Sequence, residues 1–235
     1  MFGFHGYAED IMSDLWWFVA HLPDEPGLDR LGQYCRFVND DELSRAWRGP
    51  REPLPSDFPT ARLKITLESF SLDCFNWVTT KSRAFTLVSQ DLRDSMALAP
   101  QDVQYLPVDA SLSAPLPRSK NYMIMRVPVV ENVSDPDRSI YQKNAADGLK
   151  MPRRIAIRQD VKPTHELFRD NFFGYLLCTE RLALRVLQRR CSGVRFFDPE
   201  YLDNPMRFRS LRGIEEETWD PVQEKYHTKL VQSIP

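Results

Sequence analysis

Phe173-Gly174-Tyr175-Leu176-Leu177-Cys178-Thr179-Glu180-Arg181-Leu182, continuing through Ala183 to Phe197, reads as strand, cap, helix, turn, strand. Phe173 to Leu177 is a short apolar run of aromatic and large aliphatic side chains, as a buried strand would have. Thr179 can accept from the free N–H groups of a helix start, and Glu180 puts negative charge where the helix dipole favours it. Leu182, Val186 and Leu187 recur at helical spacing, with Arg185, Gln188, Arg189 and Arg190 on the other side. Ser192-Gly193 is the expected stop, since glycine tolerates a left-handed cap. Val194 to Phe197 is strand again.

A weaker copy of this unit stands earlier. Thr86-Leu87-Val88-Ser89-Gln90-Asp91-Leu92 opens it, Met96 follows at helical spacing, and Val103-Gln104-Tyr105-Leu106 closes it. Ser89 takes the place of Thr179, and Leu92 that of Leu182. Two such units describe architecture and say nothing of activity.

Outward from them the chain predicts mostly strands. Arg62 to Glu68 alternates, with Leu63, Ile65 and Leu67 on one face. Asn121 to Glu131 is a long apolar strand broken at Pro128, which implies an edge or a bulge there. Arg154 to Arg158 alternates as another strand, and Asp135-Pro136-Asp137-Arg138-Ser139 is a turn by composition. Two further helices are expected. Asp10 to Leu22 has Ile11, Leu15, Phe18, Val19 and Leu22 on one face, widened by Trp16 and Trp17. Asp220 to Val231 is the other, at the C-terminal end. Before Trp47 a strand at Tyr34 to Val38 leads to a helix started by Asn39 or Asp40. Gly49 to Pro59, with four prolines, is a semi-rigid connection. The expectation is an α+β fold: a mixed or mainly antiparallel sheet with two strand–helix–strand units and packed helices. Residues 1–55 form an N-terminal extension, 60–200 the core, and 201–235 a polar C-terminal extension.

Composition bounds the function classes. A chain of 235 residues can bury a substantial core, and 42% hydrophobic with 27% charged is an ordinary globular balance. A net charge of −2 favours neither nucleic acid nor an anionic membrane. No apolar run approaches the roughly 20 residues of a spanning helix. The four cysteines (Cys35, Cys74, Cys178, Cys191) are scattered without C-x-x-C spacing, which points to a reducing, cytoplasmic setting. The Met1 end has no basic segment and no cleavage site of a secretory signal.

Candidate chemistry is sparse. There is no phosphate loop, G-x-G-x-x-G, H-E-x-x-H or G-x-S-x-G. His165-Glu166 would suit a base with an orienting acid, against the plain reading of a loop histidine. Cys178 precedes a helix, where the dipole lowers a thiol pKa, against the plain reading of an inert core thiol. Asp40-Asp41-Glu42 and Glu215-Glu216-Glu217 are contiguous, so neither alone makes a cation cage. The arginines from Arg181 to Arg195, with Arg207, Arg209 and Arg212, are of the type that contacts phosphate, but acids surround them. No cofactor and no metal are expected, and the field narrows to a binding protein.

Three segments resemble a bacterial family regarded as toxin immunity (immunity family eleven, formerly a domain of unknown function). Asn121 to Ser139 looks like its "YYxLNVxxVVDxLDxExS" segment. Leu167-Phe168-Arg169, then Leu177 to Leu182 and Ser192 to Phe196, resemble its "IFR…VSERL…GVRF" segment. Leu87 to Leu92 and Val103 to Val108 resemble its "LVSERL…EFLPV" segment. Met125 stands where the family tends to have Asn, and Cys178 where it tends to have Val. The likeness covers about residues 60 to 200. It implies a cytoplasmic immunity protein for an antibacterial toxin of the kind delivered by contact-dependent or type VI secretion. Such a protein binds its toxin stoichiometrically and occludes the toxin's site without catalysis. Related immunity proteins must reject each other's toxins, so the toxin contacts are expected outside the shared core. Two stretches pair an acidic run with a tryptophan there: Asp40, Asp41 and Glu42 with Trp47, and Glu215, Glu216 and Glu217 with Trp219. The plain reading of both is a solvated helix face over a core tryptophan.

Overall fold

The computed structural model describes residues 15–20, 35–47, 52, 54–66, 72–78, 84–113, 120–143, 150–203, 207–211, 213–220 and 225–233. Its strands, in chain order, begin with β1 (Leu15–Ala20), β2 (Cys35–Phe37), β3 (Ala61–Ile65), β4 (Cys74–Val78) and β5 (Ala84–Ser89). Then come β6 (Gln104–Asp109), β7 (Tyr122–Arg126), β8 (Val130–Glu131), β9 (Ile140–Lys143), β10 (Lys150–Arg154) and β11 (Leu167–Asp170). The last are β12 (Leu176–Thr179), β13 (Val194–Asp203), β14 (Arg207–Ser210), β15 (Gly213–Asp220) and β16 (Lys225–Ser233). The described helices are α1 (Asp40–Ala46), α2 (Gln90–Met96) and α3 (Glu180–Gln188). The fold is α+β with mixed sheets.

One sheet runs β16-β15-β14-β13-β1-β12-β11-β8 and the other β2-β3-β6-β7-β5-β4, with β9 and β10 as a separate pair. Neighbours are antiparallel except β11 with β8 and β3 with β6. Residues of both sheets meet α2 and α3 in one cluster: Trp16 and Phe18 of β1, Met123 and Met125 of β7, Leu92 and Met96 of α2, Leu182 and Val186 of α3. Alternation sends Tyr122 and Ile124 of β7 into a second cluster with Leu43, Leu63, Ile65 and Phe85. Every residue of β7 is buried, so the strand is covered on both faces. Each wholly buried apolar side chain, such as Ile124, stabilises the fold by roughly 1.5–3 kcal/mol, whereas the Arg126 guanidinium in the same strand does not gain in this way.

The same two-sided burial overturns the first expected helix. Residues 15–20 form β1, set between β12 and β13. Leu15 joins a third cluster while Trp16, Phe18 and Ala20 join the first. A short run that is apolar on both sides fits a buried strand as well as a helix, and the sheet decides. The other terminal helix is also replaced: residues 225–233 are β16, paired antiparallel with β15.

Smaller corrections follow from turns. Residues 171–175 are not strand, so β12 begins only at Leu176. Asp170, wholly buried, accepts from the N–H groups of Phe172 (2.9 Å), Phe173 (2.6 Å) and Ser134 (3.2 Å), and Gly174 takes φ 76°. That turn spends the aromatic residues the sequence assigns to a strand. Pro128 marks neither an edge nor a bulge of one strand: the chain leaves the interior strand β7 and crosses to β8 in the other sheet. Only Lys150–Arg154 is strand in the next segment, with Ile157 in an isolated bridge to Ser134. The residue that ends α3 in the left-handed region is Arg190 (φ 55°), as Ala97 (φ 46°) ends α2.

Candidate partner-binding site on the first helix

Asn39 fixes the start of α1. Its Oδ1 accepts from Arg62 N–H (3.0 Å), and its Nδ2 donates to the Thr60 carbonyl (3.0 Å) and to Glu42 Oε2 (2.9 Å). Leu43 is wholly buried beneath the helix. Asp40, Asp41 and Glu42 occupy the first turn, where the dipole favours carboxylates. Asp41 and Glu42 are exposed, and Arg45 Nε donates to the Asp41 carbonyl at 3.3 Å. A groove of about 410 Å³ runs past this turn between Val38, Arg45 and Arg62.

Trp47 closes α1 at the opposite end and turns inward. Its ring stands edge-on to Phe85 with centroids 4.6 Å apart. The Arg126 guanidinium lies 4.6 Å over the same ring, a cation–π contact inside the protein. Burial holds the Arg126 pKa down, against a pull upward from Glu52. The acidic turn thus faces solvent while the tryptophan roots the helix, which separates the two halves of the sequence pattern.

Glu215, Glu216, Glu217 and Trp219 lie on β15, a strand where solvated helix faces were expected. Residues 215, 217 and 219 share one face of it and 216 takes the other. Their side chains lie outside the described residues.

His165 finds a different acid from the one adjacent in sequence. Its Nδ1 is 2.6 Å from Glu131 Oε1, and its Nε2 is 3.8 Å from Asp102 Oδ1. Glu131 Oε1 also accepts from Thr164 N–H and His165 N–H, each at 3.0 Å. Glu166 instead accepts from Arg185 and Arg181. The Arg185 hydrogen bond lowers its pKa most; partial burial opposes this and Arg181 adds to it. Glu131 and Asp102 stand far from His165 in the chain, so no local spacing could have named them. Cys178 lies opposite Leu167 in the core, wholly buried. Burial, then the Glu166 charge, pushes its thiol up, so the helix start beside it does not yield a thiolate. Arg212 and the side chains of Arg207 and Arg209 lie outside the described residues.

Among the described residues no three His, Cys, Asp or Glu side chains are placed to hold one metal ion. None of the helices described is long and apolar enough to cross a membrane. No family model matches the chain, and no curated protein matches it either.

Proposed function

We propose that the protein is an immunity protein that binds a cognate antibacterial toxin and neutralises it by occluding the toxin's active site or interface. The observation that carries this reading is the exposed pair Asp41 and Glu42 on a helix pinned by Leu43 and Asn39. Such a rigid acidic rim suits a basic partner surface, since complementary charge speeds and selects encounter.

The residues behind the family resemblance support a division of labour. Ser89 Oγ accepts from Leu92 N–H (3.2 Å), and Thr179 Oγ1 accepts from Leu182 N–H (3.4 Å). We read the two passages as paired strand–helix–strand units on that basis. Asp135 Oδ1 accepts from Asp137 N–H (3.1 Å), and Ser139 Oγ donates back to the Asp135 carbonyl (2.6 Å). Arg169 donates to the carbonyls of Val127 (3.2 Å) and Gly174 (3.1 Å). All of these side chains hold the scaffold. Recognition is then left to surfaces outside the shared segments, and α1 is one. The four free thiols fit a reducing cytoplasm as the place of action.

Co-expression with a candidate toxin from a neighbouring gene is the test. Cells carrying the protein survive, and cells carrying Asp41→Lys survive less well. Equal killing with and without the protein would end this reading.

A second reading rests on the short His165–Glu131 contact, in which a fixed imidazole serves as a general base. His165→Gln separates them. Unchanged protection leaves no role for that base.

A further inference from the structure

We draw no further inference here: the strongest candidate, the partly exposed aromatic patch that Tyr141 of β9 forms with Phe172 and Phe173 in the turn after β11, is an apolar face, and nothing in the structure shows what covers it.

Discussion

Asp73 and Ser192 stand 119 residues apart and hold each other through side chain and backbone. Ser192 N–H donates to Asp73 Oδ2 at 2.8 Å, and Asp73 N–H donates to the Ser192 carbonyl at 3.1 Å. Asp73 Oδ1 accepts from Ser89 Oγ at 2.6 Å and pairs with Lys120 Nζ. Ser89 is also the cap of α2, and Ser192 follows α3. One buried carboxylate therefore ties the start of one helix to the end of the other.

Asp73→Asn is expected to destabilise the protein by about 2–4 kcal/mol in urea unfolding, because Lys120 and the hydroxyls of Ser89 and Ser192 lose a buried anion. Burial alone would raise the Asp73 pKa, but Lys120, Ser89 and Ser192 outweigh it and hold it below its usual 3.8. A lowered pKa adds stability above the unfolded value, and this is lost as pH falls through the folded one. The gap between the parent and Asp73→Asn should hold at pH 5 to 7 and close below about pH 4. A constant gap down to pH 2 would contradict this.

Gly193 is fixed by the same contact. A Cβ there would stand 2.1 Å from the Cys74 carbonyl oxygen, and φ is +75°. Neither backbone can give way without breaking the Asp73–Ser192 pairing. Gly193→Ala is expected to cost about 3 kcal/mol or more. A melting temperature within a degree or two of the parent would refute it.

Much of this architecture was legible in the sequence wherever one face is polar. Alternation in Arg62-Leu63-Lys64-Ile65 marks β3, and the hydroxyl before each helix marks α2 and α3. Legibility fails at β1, although β7, also buried on both faces, is legible as a strand. Leu15 to Ala20 shows no polar side to distinguish strand from helix, and its place between β12 and β13 depends on residues some 160 to 180 positions later. The acidic turn of α1 was legible as composition and the inward turn of Trp47 as the plain reading of that run, but the partners of the ring were not. That turn depends on Phe85 and Arg126, which arrive from β5 and β7. Glu131 and Asp102 around His165 were invisible for the same reason.

Thiol accessibility separates a core cysteine from a reactive one. Cys35, Cys74 and Cys178 are buried, and burial pushes the Cys35 thiol up to about 12. Cys191 is partly exposed, with its thiol raised by burial and lowered again by Ser95. The native protein should release one equivalent with a chromogenic disulfide, slowly, and four after denaturation. Rapid labelling of Cys178 would restore it as a candidate nucleophile.

Trp47 should matter to stability before it matters to binding. Trp47→Ala removes the ring between Phe85 and Arg126 and leaves a buried guanidinium over a cavity. The expected loss is about 3 kcal/mol by urea unfolding, with Trp47→Phe recovering about half. Equal stability of both variants with the parent would show that the ring is not part of the core.

Charge on α1 can be tested apart from its fold, provided the right acid is chosen. Glu42 also accepts from Asn39, which in turn holds Thr60 and Arg62, so its replacement would loosen the helix start. Asp41 is exposed, and its hydrogen bond from Arg45 uses the backbone carbonyl, which substitution leaves in place. Asp41→Lys should therefore lower stability by only about 1 kcal/mol, the size of a reversed charge at a helix start. If α1 meets the toxin, the same variant should associate several-fold more slowly, with a shallower dependence on salt, while dissociation changes little. Reversal of Glu215 and Glu217, on one face of β15, serves as the matched comparison. Loss of association only with the β15 variant would move the interface to the C-terminal hairpin. Unchanged association in both folded variants would place it on neither.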